Sequence, residues 1–265
     1  MSDFQSDVQA FLGEDWQSEG KYVFRSGNRL VHLIPLNAVP APEECLALSD
    51  QAEARGETLV HLWEDTWQRD NGIVRSRLQA MRGKFTRVSA RLTDIRPVSK
   101  VEQDRFFSRN HLQGTVKMKH AYGLFLKDKY QNAGFDAPDR CVAMAGFGPL
   151  RPMPSRGENY RSGELVRFAN ALGHLVVGGL DKLLQAFLRD FAPDDVMTYA
   201  DRDWSAGASY EKLGFCRVGL TPPHVFWLDP ETLIRHYPER LTTAPPAHWI
   251  RVFNTGNYKY LLEKR

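Results

Sequence analysis

The chain has 265 residues, 42% hydrophobic and 25% charged, with a net charge of +3. That balance excludes a largely disordered chain and a bundle of membrane spans. Cys45, Cys141 and Cys216 are far apart and form no CxxC pair, which argues against a disulfide scaffold or a Cys-ligated zinc site and for a reducing, cytoplasmic setting.

The opening Met1–Asp7 lacks the apolar run of a secretory signal. Leu30–Ile34 reads as a short buried strand stopped by Pro35. Pro42, Glu43 and Glu44 open a helix, with proline and acids in the first turn, and Arg55-Gly56 ends it. Thr58–Trp63 is a second strand, and a helix with Ile73, Val74, Arg77, Leu78 and Met81 on one side, and Arg75 and Arg82 on another, follows Gly72. These elements form a small β-α-β-α unit.

Arg87–Arg96 reads as one strand leading into a second domain, followed by a short helix over 102–110. Ala121–Lys127 and Cys141–Phe147 have the pattern of a β-hairpin whose loop holds Gly134 and Pro138. Arg151–Gly163 is rich in Pro, Gly, Ser and Arg and reads as a long loop, and Glu164–Phe168 as a strand. Gly178-Gly179 opens an amphipathic helix with Leu180, Leu183, Leu184, Phe187 and Leu188 on one face. A strand over 196–200, a helix over 206–213 and a strand from Phe215 complete the pattern of a mixed α/β domain. The expected division is 1–90 and 91–265.

Charge is unevenly spread: residues 1–65 carry a net −8 and residues 66–130 a net +10. Arg69, Arg75, Arg77, Arg82 and Lys84 fall in the basic block. DNA is the expected partner, because cationic side chains displace the counterions condensed on phosphates. The alternatives are a solvated face or a surface that docks on the acidic segment.

Tyr210-Glu211-Lys212-Leu213-Gly214-Phe215 resembles the end of the catalytic core in the GNAT superfamily of N-acetyltransferases. Val177-Gly178-Gly179 stands where that superfamily binds pyrophosphate at a helix N-terminus, with Leu175 and Leu180 at flanking positions that usually differ. Asn110-His111-Leu112-Gln113-Gly114, Phe147-Gly148-Pro149-Leu150-Arg151, Glu164-Leu165-Val166-Arg167-Phe168, Tyr199-Ala200-Asp201 and Gly256-Asn257-Tyr258-Lys259-Tyr260 follow in order. Together they resemble the acyltransferase-like part of phage proteins that also carry a Vsr-like homing endonuclease. His61–Trp67 resembles the end of that nuclease, whose metal-binding carboxylates are absent from Arg29–Pro35. A shorter likeness is to Mom-type phage enzymes that modify adenine in DNA.

The resemblance implies a GNAT-like mixed sheet with flanking helices, preceded by a degenerate restriction-endonuclease-like unit. It implies acetyl-CoA or another acyl-CoA as cofactor, an amine acceptor, and Tyr210 as the acid that protonates the leaving sulfur. Asp201, at a strand's C-terminal end, is the expected base or substrate anchor. His111 is a candidate base or metal ligand. Glu164 and Arg167, three apart, are expected on opposite strand faces, with Arg167 the buried anchor for a carboxylate or phosphate. His32 and His61 read as strand residues, and no clustered metal motif is present. DNA as acyl acceptor leads; a catalytically silent DNA-binding protein and an acyltransferase for small-molecule or protein amines are the alternatives.

Overall fold

The computed structural model describes residues 4–128 and 140–263. The expected hairpin loop with Gly134 and Pro138 lies outside the described residues. In chain order the elements are α1 (Phe4–Leu12), β1 (Gln17–Ser18), β2 (Val23–Ser26), β3 (Arg29–Ile34), α2 (Pro42–Ala54), β4 (Thr58–Trp63), α3 (Glu64–Arg69) and α4 (Asn71–Met81). Next come β5 (Thr86–Ser89), β6 (Thr93–Pro97), α5 (Lys100–Asn110), β7 (His120–Leu126), β8 (Cys141–Phe147), β9 (Arg151–Pro152), β10 (Arg161–Asn170) and β11 (His174–Val177). The remainder are α6 (Gly179–Phe191), β12 (Asp195–Asp201), α7 (Ala208–Glu211), β13 (Cys216–Leu220), β14 (Val225–Asp229), β15 (Ile234–His236), β16 (Ile250–Phe253) and β17 (Asn257–Glu263). No helix among the described residues is long and apolar enough to cross a membrane.

The chain divides into two compact units. One contains Met1–Asn71, Ala200–Ser209 and Arg217–Lys259; the other contains Gly72–Tyr199, Tyr210–Cys216 and Tyr260–Arg265. The boundary falls at 71 rather than 90 because the intervening segment is bound to the second unit. There β5 pairs in parallel with β11, and the Gly173 N–H donates to Ser76 Oγ at 2.8 Å.

In the first unit, β3 and β4 pair in parallel through α2, and β2 and β1 extend the sheet on the far side of β3. Helix α2 starts as its sequence dictates: Pro42 occupies the first turn, and the Ala41 N–H donates to Glu44 Oε1 at 3.4 Å. Gly56, at φ +66°, lets the chain turn back after the helix. Ile34, Cys45 and Trp63 pack with Phe226, Leu228, Val252 and Phe253 from the three-stranded sheet β15-β14-β16.

Gly256 is a fixed point of this unit. Its φ is +86°, and a Cβ built there would lie 2.1 Å from the Thr221 carbonyl oxygen. Backbone cannot retreat as a flexible side chain does, so Gly256→Ala is expected to cost about 3 kcal/mol or more. Urea unfolding checks this, and an unchanged midpoint would contradict it.

The second unit holds a mixed sheet with the order β12-β10-β8-β7-β6, in which β9 also pairs with β10. The contacts β6–β7, β7–β8 and β8–β10 are antiparallel, whereas β10–β12 is parallel. Helix α6 covers the sheet with Leu183, Leu184 and Phe187, all buried, and Phe187 stacks on Phe147 at 4.1 Å. Leu180 lies on the same apolar stripe and is buried. This is the expected fold class, a mixed α/β sheet with flanking helices.

Three expected elements differ in detail. The strand over 87–96 is two strands split by a 3₁₀ turn at Ala90–Leu92, where Ser89 Oγ accepts the Arg91 N–H at 3.4 Å. The helix over 206–213 shrinks to α7, because Gly207 sits at φ +81° with its N–H donated to Ser205 Oγ. The long loop over 151–163 is bounded by β9, which pairs with the first residues of β10.

Candidate active site

Strands β10 and β12 pair over only four residues, from Ser162 opposite Asp195 to Leu165 opposite Thr198. The ladder ends where Thr198 Oγ1 donates to the Leu165 carbonyl at 2.9 Å. One residue later β10 bulges: Leu165 faces Phe147 and Arg167 faces Gly146, so Val166 is the extra residue. A bulge resets the alternation of side chains. Glu164 and Val166 flank Gly148 on one face, and Val166 and Ala169 both join the cluster of Phe106 and Phe107 from α5. The expectation that Glu164 and Arg167 point to opposite faces is therefore corrected: the bulge brings Arg167 to the side of α5 as well. Its Nε donates to the Gly114 carbonyl at 3.4 Å, in the loop that follows α5.

His111 caps the C-terminus of α5, with its N–H donated to the Phe107 carbonyl at 3.0 Å. Its Nδ1 accepts the Gln113 N–H at 3.2 Å. A neutral imidazole that accepts at Nδ1 carries its proton at Nε2, so His111 presents a donor. Burial, followed by the charges of Arg167 and Arg77, lowers its pKa from 6.5 to about 3. At neutral pH His111 is thus neither a general base nor free at Nδ1 for a metal, and its role becomes that of a hydrogen-bond donor.

The same depression has a consequence for stability. Between pH 6.5 and 3 the unfolded chain takes up a proton at His111 that the folded chain refuses, so stability falls as pH drops through that window. His111→Gln is expected to flatten part of this acid slope in denaturation midpoints measured from pH 7 to 4. An unaltered slope would contradict the assignment.

Tyr210, on α7, hydrogen-bonds with Thr198, and its ring packs 5.7 Å from Phe215 and 5.6 Å from Tyr260. Burial raises the phenol's pKa above 10 despite opposing contributions from Thr198 and Arg77. The phenol is therefore protonated at neutral pH at the point where β10 and β12 part. In the second unit the Arg77 charge acts on both Tyr210 and His111, and the Arg167 charge on His111. Arg77 reads in the sequence as one of several DNA-facing cations, and only the fold reveals that α4 delivers it here.

Other candidates sit elsewhere. Glu164 is half-buried and lies 3.5 Å from Arg151. Asp201 belongs to the first unit, where its Oδ1 accepts the Asp203 N–H at 3.0 Å and its carbonyl accepts from Trp204 and Ser205. Asp203 is buried and accepts both the N–H and the hydroxyl of Thr255. Arg69 also lies in the first unit and donates to the Leu233 carbonyl at 2.7 Å. Arg75, Arg82 and Lys84 belong to the second unit, with Arg75 and Lys84 exposed.

The Gly178 turn provides backbone donors. Gly178 is exposed at φ +75°, and no side chain caps the start of α6. Gly179 is glycine for packing, since a Cβ there would meet Val176 at 2.9 Å. Leu180 is buried on the apolar stripe of α6, and Val177 is exposed. Lys182, one turn on, spends its ammonium on the carbonyls of Ala90 and Thr93. A groove of about 620 Å³ at the other end of α6, lined by Gln185, Leu188, Asp195 and Lys212 among others, includes none of the candidate residues.

No family model matches the chain, and no curated protein does. Solved structures with some likeness include the NatC complex bound to Gag peptide and CoA, at 11% identity and a TM-score of 0.39, covering 65% of this chain and 99% of that one. The ribosomal-protein-S18-alanine N-acetyltransferase from Escherichia coli gives 11% identity and 0.37, covering 64% and 93%. Arabidopsis thaliana Naa50 with a CoA bisubstrate analogue gives 10% identity and 0.40, covering 65% and 99%. Likeness at this level specifies neither substrate nor mechanism.

Proposed function

We propose that the second unit is an N-acyltransferase that uses an acyl-CoA and acts on an amine, with a nucleobase amine of DNA as the favoured acceptor. The observation that carries this reading is a half-buried, protonated Tyr210 phenol hydrogen-bonded with Thr198 at the end of the β10–β12 ladder, acted on by the Arg77 charge that also reaches His111.

The residues present fit a CoA pyrophosphate at one place. The first turn of α6, opened by exposed Gly178 and flanked by Val177 and Gly179, has no side-chain cap, and its backbone N–H groups would receive the pyrophosphate. When bound, an acyl-CoA supplies an activated acyl carbon and a thiolate leaving group. Tyr210 would hold a proton at Oη for the departing sulfur. The proton lost by the amine passes to solvent. His111 Nε2–H and the Arg167 and Arg77 guanidinium groups favour an acceptor that carries a phosphate or carboxylate near its amine. DNA offers the phosphate, and the exposed cations Arg75 and Lys84 follow the same preference.

Arg167→Ala is expected to raise KM for the anionic acceptor about 10- to 100-fold while acetyl-CoA affinity stays within about twofold, as loss of one charge-assisted contact implies. Steady-state kinetics with the acceptor varied checks this. Acceptor identity is tested by mass spectrometry of nucleosides from cells that express the protein, beside a Tyr210→Phe control. A new acylated nucleoside with the intact chain alone supports DNA. Its absence, together with acylation of a carboxylate-bearing amine, transfers the activity to a small-molecule or protein acceptor.

A further inference from the structure

The first unit contains a cluster that the acyl-transfer chemistry does not use. Strands β3 and β4 run parallel in register, so His32 lies directly opposite His61. The two Nδ1 atoms face each other at 2.9 Å. Helix α2 crosses over this pair and lowers Cys45 onto it, with the His Nδ1 or Nε2 and Cys Sγ donor atoms all within 4.8 Å of one another. Cys45 and His61 are fully buried, while His32 is half-buried.

We propose that His32, Cys45 and His61 form a binding site for a thiophilic d¹⁰ metal ion, Zn²⁺ or Cu⁺. The donor set is two imidazoles and a thiolate, which suits these ions and not Mg²⁺ or Ca²⁺. Tetrahedral zinc bonds of 2.0–2.3 Å place neighbouring donors about 3.3–3.6 Å apart, so the cluster reaches ligating geometry with movements of about an ångström. A supporting contact is in place: His61 Nε2 lies 2.8 Å from Ser49 Oγ, which leaves Nδ1 as the ligating atom. Ile34, Trp63, Phe226 and Leu228 pack with Cys45 and make that side of the site apolar.

Charge balance narrows the ion's partners. Arg202 is paired with Asp50 at 2.7 Å. Cu⁺ with one thiolate leaves the three-donor site neutral. Zn²⁺ leaves it at +1 and takes a fourth ligand, a water on the half-buried His32 side. Binding releases one proton, from the Cys45 thiol, to solvent. The His32 proton moves from Nδ1 to Nε2, and His61 keeps its proton on Nε2 toward Ser49. No oxidation is involved.

The test is titration of the reduced, metal-free full chain with Zn²⁺ and, separately, Cu⁺, each against a chromophoric chelator. Cobalt substitution reads the thiolate through its charge-transfer band. One ion per chain is expected, with affinity lowered about 100-fold or more by Cys45→Ser and by His32→Gln, and about tenfold by Ser49→Ala. The tighter arm identifies the ion. Should Cys45→Ser fail to fold, His32→Gln and the cobalt band of the unaltered chain still decide. Absence of that band with no stoichiometric uptake of either ion would overturn the site, as would equal affinity in the unaltered chain and the His32→Gln variant. None of these readouts depends on acyl transfer.

Discussion

Asp65→Ala is expected to lower the stability of the first unit by about 3–5 kcal/mol, as removal of one partner from a buried ion pair does. Asp65 is fully buried at the start of α3, and its two oxygens accept from Arg235 Nε and NH2 at 2.7 and 2.8 Å. The guanidinium also lies 4.9 Å from the Trp63 ring. Burial opposes the Arg235 charge, but the hydrogen bond and charge of Asp65 outweigh it, so Arg235 stays protonated above its ordinary range. Deletion of the carboxylate strands that charge. Asp203 and Asp201 also act on Arg235 and bring the cost toward the lower end of the range. Paired replacement, Asp65→Leu with Arg235→Met, is expected to recover most of the loss, because it removes both charges together. Guanidinium denaturation of the single and paired variants checks both results. A paired variant as weak as the single one would contradict the explanation.

Tyr210→Phe is expected to reduce acyl transfer about 100-fold or more, the usual cost of a lost general acid. Stability should change by only about 1 kcal/mol, the net worth of one hydrogen bond, because the ring keeps its contacts with Phe215 and Tyr260. The pH profile separates an acid from a packing aromatic. Activity that needs the protonated phenol declines only as pH passes the folded pKa, which burial sets above 10. The variant's residual activity should lack that alkaline decline. Unaltered kcat in the variant would remove Tyr210 from the chemistry.

Local signals carried much of the fold. Pro42, the acids after it and Arg55-Gly56 define α2 to within a residue, and the apolar stripe of α6 identifies its buried face. What escaped is non-local. The bulge at Val166 leaves no mark in composition, yet it decides which face Arg167 shares with Glu164. Pairing of β5 with β11 joins residues nearly ninety positions apart and moves α4 into the second unit. That placement turns Arg77 from a surface cation into a neighbour of His111 and Tyr210. His32, Cys45 and His61 have no motif spacing, because a crossover helix and an in-register parallel pair bring them together.

Tyr210 was legible by resemblance, and its surroundings were not. His111 illustrates the difference: the residue stood out as a titratable side chain before Gly114, but the Gln113 N–H on its Nδ1 turns it from base into donor. Asp201 reads as a strand-end carboxylate, and the fold engages it in the turn that leads to Asp203.

Calorimetric titration of the full chain with acetyl-CoA, beside a Gly178→Asp variant, bears most directly on the acyl-transfer reading. Saturable binding of one acetyl-CoA per chain is predicted, with affinity reduced at least tenfold when a carboxylate is placed at the exposed turn. No binding at millimolar acetyl-CoA, or equal binding by the variant, would contradict it.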